Sequence, residues 1–215
     1  MKTEKNSKLF SDDTVGKFVH HSMAYRRNFE GYSEIKRKDS NGRTHIDRVY
    51  TYHFFLSARS DPSDRSVRIL FPSLAMLSAA ALIFCSAMQI ESNVMLYVVI
   101  TQIACIVFLF LEIVSAFKYA FRKKQMTINE YKTTSVSFIR WSLCSAISFA
   151  VSSVAALTYP VFFTTVTGSL IFLYSMIMLV FAAIQFALHL TEKKTPYYNE
   201  SNPEQAPPGT IEIDL

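Results

Sequence analysis

The chain has 215 residues, half of them hydrophobic, with a mean hydropathy of +0.20 and a formal net charge of +5. Only 18% are charged, against about 25% in an ordinary soluble domain, and the charges are gathered into a few segments. This excludes a disordered polyelectrolyte, a collagen-like chain and a disulfide-stapled secreted domain, and predicts an integral membrane protein.

The 67 residues before the first apolar run are polar and basic, so no signal peptide is expected. Within them, Val15, Phe18, Val19, Ser22, Met23, Tyr25 and Phe29 share one arc of a helical wheel, behind the N-capping sequence Ser11-Asp12-Asp13. An amphipathic helix is predicted there, lying on the membrane or on its own neighbours. Tyr32–Lys38 and the segment from Arg43 to Phe55 then flank Asn41-Gly42, a type I′ turn signal. That turn would set Lys36 opposite Asp47 and Glu34 opposite Val49, and would gather Ile35, Ile46, Tyr50 and Tyr52 on one apolar side. Asp61-Pro62 reads as a helix start. The short basic run Lys36-Arg37-Lys38 is diluted by Asp39 and Asp47 and has no platform of spaced aromatics, so no nucleic-acid partner is expected.

A helix needs roughly 20 apolar residues to cross the hydrocarbon core. Four runs qualify, from about Ile69 to Ile90, Val94 to Phe117, Trp141 to Tyr159 and Val161 to Leu190. Fourteen of the 22 lysines and arginines precede the first run, six lie between the second and third, and two follow the fourth. The connectors Glu91–Asn93 and Tyr159–Pro160 carry none. Cationic loops stay inside, so both termini and the middle loop are expected in the cytoplasm, facing an anionic inner leaflet. Thr127-x-x-Glu130 fits a capping box, so the third helix should begin near Ile128, and the second should project toward Lys124. The proline-bearing tail, residues 191–215, is expected to be disordered. The predicted parts are thus 1–67 (helix and hairpin), 68–117 (first transmembrane hairpin), 118–139 (basic loop), 140–190 (second hairpin) and 191–215 (tail).

Glu112 is the one formal charge well inside a run, and it should pair, protonate or face the bundle. Arg140 is the predicted partner. Gln102, Gln185 and His189 are the other intramembrane polar candidates, and Glu112, Gln185 and His189 would converge if the second and fourth spans touch. The small-residue patterns Ala75-x-x-x-Ala79 and Ser148-x-x-x-Ser152-x-x-x-Ala156 predict a packing seam between the first and third spans or within a homodimer. Cys85, Cys105 and Cys144 all sit in apolar runs and read as packing residues. No metal or cofactor is expected, and no nucleophile–base pattern is present, so the chain is not read as an enzyme.

The sequence therefore predicts an all-α membrane protein. Its four-helix transmembrane bundle carries a small cytoplasmic helix plus β-hairpin module, in a bacterial inner membrane with both termini inside. The expected function is that of a non-enzymatic accessory or interaction subunit, with a possible homo-oligomer or membrane complex as its setting. A small transporter or channel using Glu112 is the alternative, and an uncharacterised membrane enzyme the second.

Overall fold

The structure, a computed structural model, describes residues 32–38, 44–163 and 167–200. The predicted amphipathic helix and the Asn41-Gly42 turn lie outside them. Among the described residues four helices are long and apolar enough to cross a membrane: α1 (Asp61–Ala87), α2 (Leu96–Ala120), α3 (Ile128–Phe162) and α4 (Gly168–Lys193). Five strands accompany them: β1 (Tyr32–Lys38), β2 (Thr44–Tyr50), β3 (Phe54–Ser57), β4 (Gln125–Met126) and β5 (Tyr197–Glu200).

The described residues divide into two compact units. The smaller holds the antiparallel β1–β2 hairpin and a second sheet of order β4-β3-β5, together with the first turn of α3. The hairpin forms, but not in the predicted register. Lys36 pairs with Ile46 and Ile35 with Asp47, one residue away from what a two-residue turn at Asn41-Gly42 requires. The backbone pairing is thus slipped by one residue from the predicted register. The second sheet corrects two further expectations. The basic loop supplies β4, and the segment predicted as a disordered tail continues α4 through Lys193 and then supplies β5. Such short strands gain their bonds from distant segments and leave little periodicity in the sequence.

The start of α3 is as its local chemistry dictates. Thr127 N–H donates to Glu130 Oε2 at 3.0 Å and Glu130 N–H to Thr127 Oγ1 at 3.3 Å, a reciprocal capping box. Tyr50 adds a clasp, donating to the His53 carbonyl at 2.8 Å and accepting from the Ile128 N–H at 3.0 Å. Burial pushes the Tyr50 phenol above its ordinary value of 10.0, outweighing the hydrogen bond from Ile128. A folded-state value above the unfolded one stabilises fully below about pH 10 and is lost as the pH rises through the folded value. Tyr50→Phe should therefore expose the Ile128 amide to hydrogen exchange at neutral pH, and the wild type should lose the same protection only in strong alkali. Equal protection in both proteins at pH 7 would contradict the clasp.

The larger unit is the four-helix bundle. The helices form a ring in which α1 packs on α2 and α4, and α3 packs on α2 and α4. The predicted seam between the first and third spans is therefore replaced by one between α3 and α4. There Ser153 Oγ donates to the Ser175 carbonyl at 2.9 Å and Ser175 Oγ to the Ser153 carbonyl at 3.2 Å, an approach that only small side chains permit. Ser148, Ser152 and Ala156 are buried beside it, and Ala75 is buried against Phe71, Ala116, Tyr119, Phe138 and Leu188; Ala79 only borders the larger apolar cluster.

Two predicted ends shift. Tyr159 and Pro160 are not a connector, because α3 runs on through Phe162 and α4 begins only at Gly168. Pro160 removes the backbone hydrogen bond to the Ala156 carbonyl, and the helix ends two residues later. The fourth span is correspondingly shorter than predicted. The second helix ends at Ala120 rather than near Lys124, as Arg122 turns inward to become buried.

The bundle exposes large apolar side chains and buries polar ones among its apolar core. Ile83, Ile103, Phe110, Val154, Phe172 and Met176 are exposed, whereas Ser78, Gln102, Glu112, Ser145, Gln185 and Glu192 are buried. Water as the surrounding solvent would favour the reverse. Hydrocarbon favours what is observed, because polar groups must then find their partners within the protein.

Candidate functional site

The buried polar side chains of the bundle gather at three levels. At the end bearing the short connector Glu91–Val94, Asn93 Nδ2 donates to the carbonyls of Cys85 (3.1 Å) and Met88 (2.9 Å), which lie at the end of α1. Its Oδ1 accepts from Gln102 Nε2 at 2.8 Å, and the same amide nitrogen lies 3.2 Å from the Tyr174 hydroxyl. Tyr174 in turn shares a hydrogen bond of 2.9 Å with Ser152. Residues from all four helices and their first connector are thus joined.

The opposite, basic end holds a buried ion network. Arg122 Nη2 meets Asp64 Oδ1 at 2.6 Å, and Arg68 Nε meets the other oxygen of Asp64 at 2.7 Å. Glu192, fully buried, faces Arg59 at 3.2 Å and Arg122 at 3.9 Å and accepts from the Tyr119 hydroxyl at 2.7 Å. Arg59 also donates to Tyr119 and to Thr195. The Arg122 guanidinium lies 3.9 Å from the centre of the Tyr119 ring, a cation–π contact that strengthens as water is excluded. Arg122 also donates to Ser135 Oγ at 3.0 Å, within a π-helical turn at Lys132–Val136.

Glu112 defines the middle level. Two apolar clusters bracket it. One contains Phe71, Ala75, Ala116, Tyr119, Phe138 and Leu188, and the other contains Leu82, Leu109, Phe149, Met178 and Ala182. Between them all four helices contribute polar side chains with no exposed surface: Ser78 on α1, Glu112 on α2, Ser142 and Ser145 on α3, and Gln185 on α4. Gln185 Nε2 donates to Ser78 Oγ at 2.8 Å, and Ser78 donates to the Leu74 carbonyl at 2.9 Å. The two oxygens of Glu112 and the oxygen of Gln185 make no hydrogen bond of ordinary geometry among the described residues; the Ser145 hydroxyl lies close enough to the Glu112 carboxyl to interact with it, outside that geometry. Buried polar atoms are ordinarily bonded, and the Glu112 level departs from that rule.

The candidates named from sequence separate here. Glu112, Gln102, Gln185 and His189 are all buried, but Arg140 is exposed and makes no bond to Glu112. The predicted ion pair is absent because the two residues are on faces pointing apart. Gln185 turns to Ser78 on α1, while His189 bonds the Ile139 carbonyl on α3 through Nδ1 at 2.8 Å. His189 is therefore not part of the Glu112 level. Gln102 belongs to the connector-end network, about 15 Å along α2 from Glu112 by helical rise. Ser78 and Ser145, and the whole Arg59–Glu192–Arg122–Asp64 network, escape sequence reasoning. Serine in an apolar helix has no distinguishing signal, and charges beside a span look like ordinary interfacial residues.

One feature links the levels. Ser145, Ser148 and Ser152 follow helical spacing on α3 and are all buried. Cys105 of α2 sets its thiol beside the hydroxyls of Ser148 and Ser152. A file of hydroxyl groups thus runs from the Tyr174–Ser152 bond to the level of Glu112. No group of three or more His, Cys, Asp or Glu side chains is disposed to hold a metal ion among the described residues. No family model matches the chain, and no curated protein or solved structure matches it.

Proposed function

We propose that this multi-pass membrane protein binds and passes a proton through its interior, with Glu112 as the carrier group. The observation that supports the reading is the Glu112 carboxyl, which is fully buried, has no hydrogen bond of ordinary geometry among the described residues, and has the Ser145 hydroxyl beside it. A charged side chain at the centre of a span costs about 3 kcal/mol on insertion scales. A proton on Glu112 removes that charge and supplies the missing donor. Its route on the connector side is the hydroxyl file Ser145–Ser148–Ser152–Tyr174, ending at Gln102 and Asn93. On the basic side the Phe71–Phe138 stack, with ring centres 4.5 Å apart, and the Arg122–Glu192 network close the way, so passage requires those groups to move. The reading is that of a small non-enzymatic transporter. Reconstitution with an imposed pH gradient and a pH-sensitive dye tests it. Flux by the wild type that is lost in a folded Glu112→Gln variant supports it; no flux above empty vesicles overturns it in favour of a non-catalytic subunit of a membrane complex.

We further propose that both termini and the loop Arg122–Lys124 lie in the cytoplasm, supported by the placement of every lysine and arginine, and that the membrane is a bacterial inner membrane, a reading that rests on the short connectors alone. In a cysteine-free background, an impermeant thiol reagent added to intact cells should label a cysteine at Asn93 and spare one at Lys193. The opposite pattern would invert the topology.

A further inference from the structure

Between α1 and α2, at the basic end of the bundle, a groove of about 570 Å³ opens on the outside of the helices. Its walls are Pro72 and Met76 on α1 and Phe117 and Phe121 at the end of α2; Arg65 and Arg68 stand at its rim. The α1 residues fall on one stripe, since 65, 68, 72 and 76 repeat at helical spacing. From Arg65 to Met76 the stripe spans about 16 Å of helix rise. The groove is thus apolar along its length and cationic at one end only.

The two arginines differ in what they are free to do. Arg68 spends Nε on Asp64 and Nη1 on the Arg122 carbonyl, which fixes its position, and its Nη2 has no partner among the described residues. Arg65 is exposed and forms no hydrogen bond or ion pair among the described residues. An anchored guanidinium beside a free one, at the mouth of an apolar slot on the lipid-facing side, matches one ligand shape: a phosphate with an acyl chain attached.

We propose that this groove is a binding site for an anionic phospholipid. Its phosphate sits on Arg65 and Arg68, and an acyl chain lies along Pro72, Met76 and Phe117. The inference is independent of the role of Glu112. Basic pockets between transmembrane helices hold anionic head groups in this way, and each arginine near the surface contributes about a fivefold preference for the anionic lipid. A phospholipid without net charge satisfies the apolar wall but gains nothing from the arginines.

The test is native mass spectrometry of the full chain released from mild detergent with equal amounts of dioleoyl phosphatidylglycerol and dioleoyl phosphatidylcholine. The wild type should retain the phosphatidylglycerol at least about fivefold over the phosphatidylcholine. Arg65→Gln, at an exposed side chain with no structural bond, should cut that preference about fivefold. Ser73→Trp, which fills the groove from an exposed position, should abolish retention of both lipids while leaving the helical circular dichroism unchanged. Equal retention of the two lipids by the wild type, or an undiminished preference in Arg65→Gln, would overturn the site. A Ser73→Trp protein that still retains phosphatidylglycerol would also overturn it.

Discussion

Arg122→Ala is expected to destabilise the bundle by about 3–5 kcal/mol, the loss typical of removing one partner from a buried ion pair. The side chain is about 1% exposed and Glu192 is not exposed at all, so solvent screening does not discount the effect. Removing the guanidinium leaves Glu192 with Arg59 and Asp64 with Arg68, each a poorer arrangement than before, and strips the Tyr119 ring of its cation. It also releases Ser135 within the π-helical turn. Arg122→Lys should recover little of the loss, because one ammonium cannot reach Asp64, Ser135 and Glu192 at once. The double variant Arg122→Ala/Glu192→Gln should cost less than the sum of the two single variants, since neutralising Glu192 removes the charge that Arg122→Ala exposes. Reversible denaturation of the purified protein in mixed micelles would measure all three. A cost below about 1 kcal/mol for Arg122→Ala would mean that the network is solvated and ornamental.

Glu112 carries the second large effect, and its variants separate function from fold. Glu112→Gln keeps the shape and replaces one unbonded acceptor by an amide with its own N–H donors, so the fold should be unharmed or slightly stabilised, within about 1 kcal/mol. It cannot titrate, so proton flux should fall to background. Glu112→Leu deletes the polar group and fills the level with hydrocarbon. Its stability should match or exceed that of the wild type, because a buried polar group without a partner is a cost and not a support. A packing role makes the opposite forecast: both variants would lose stability, Leu more than Gln. Flux assays and denaturation of the same three proteins thus give each reading its own pattern. A stable Glu112→Gln protein with undiminished flux would remove Glu112 from the route.

The features that the sequence determines are the ones set within a few residues or one solvent-spanning length. Four apolar runs become four helices because about 20 residues must satisfy their own backbone in hydrocarbon. Thr127 and Glu130 cap α3, since caps involve neighbours three or four residues apart; α1 does begin at Asp61-Pro62, but its N-cap is Ser60 and no side chain caps it, so the expected Asp61 cap is not formed. Glu112 stands out because a carboxyl within such a run is rare. The tertiary structure decides everything that depends on which helices adjoin. Arg140 is a plausible partner for Glu112 by depth, yet helix rotation points it outward. The small stripe of α3 serves α4 and not α1, because the ring sets the first and third helices across from each other. Ser78 and Ser145 matter only because two other helices bring Gln185 and Glu112 to their level. β4 and β5 form only because β3 offers them an edge. In each case the deciding energy is a contact between residues far apart in the chain, and local pattern carries no record of it.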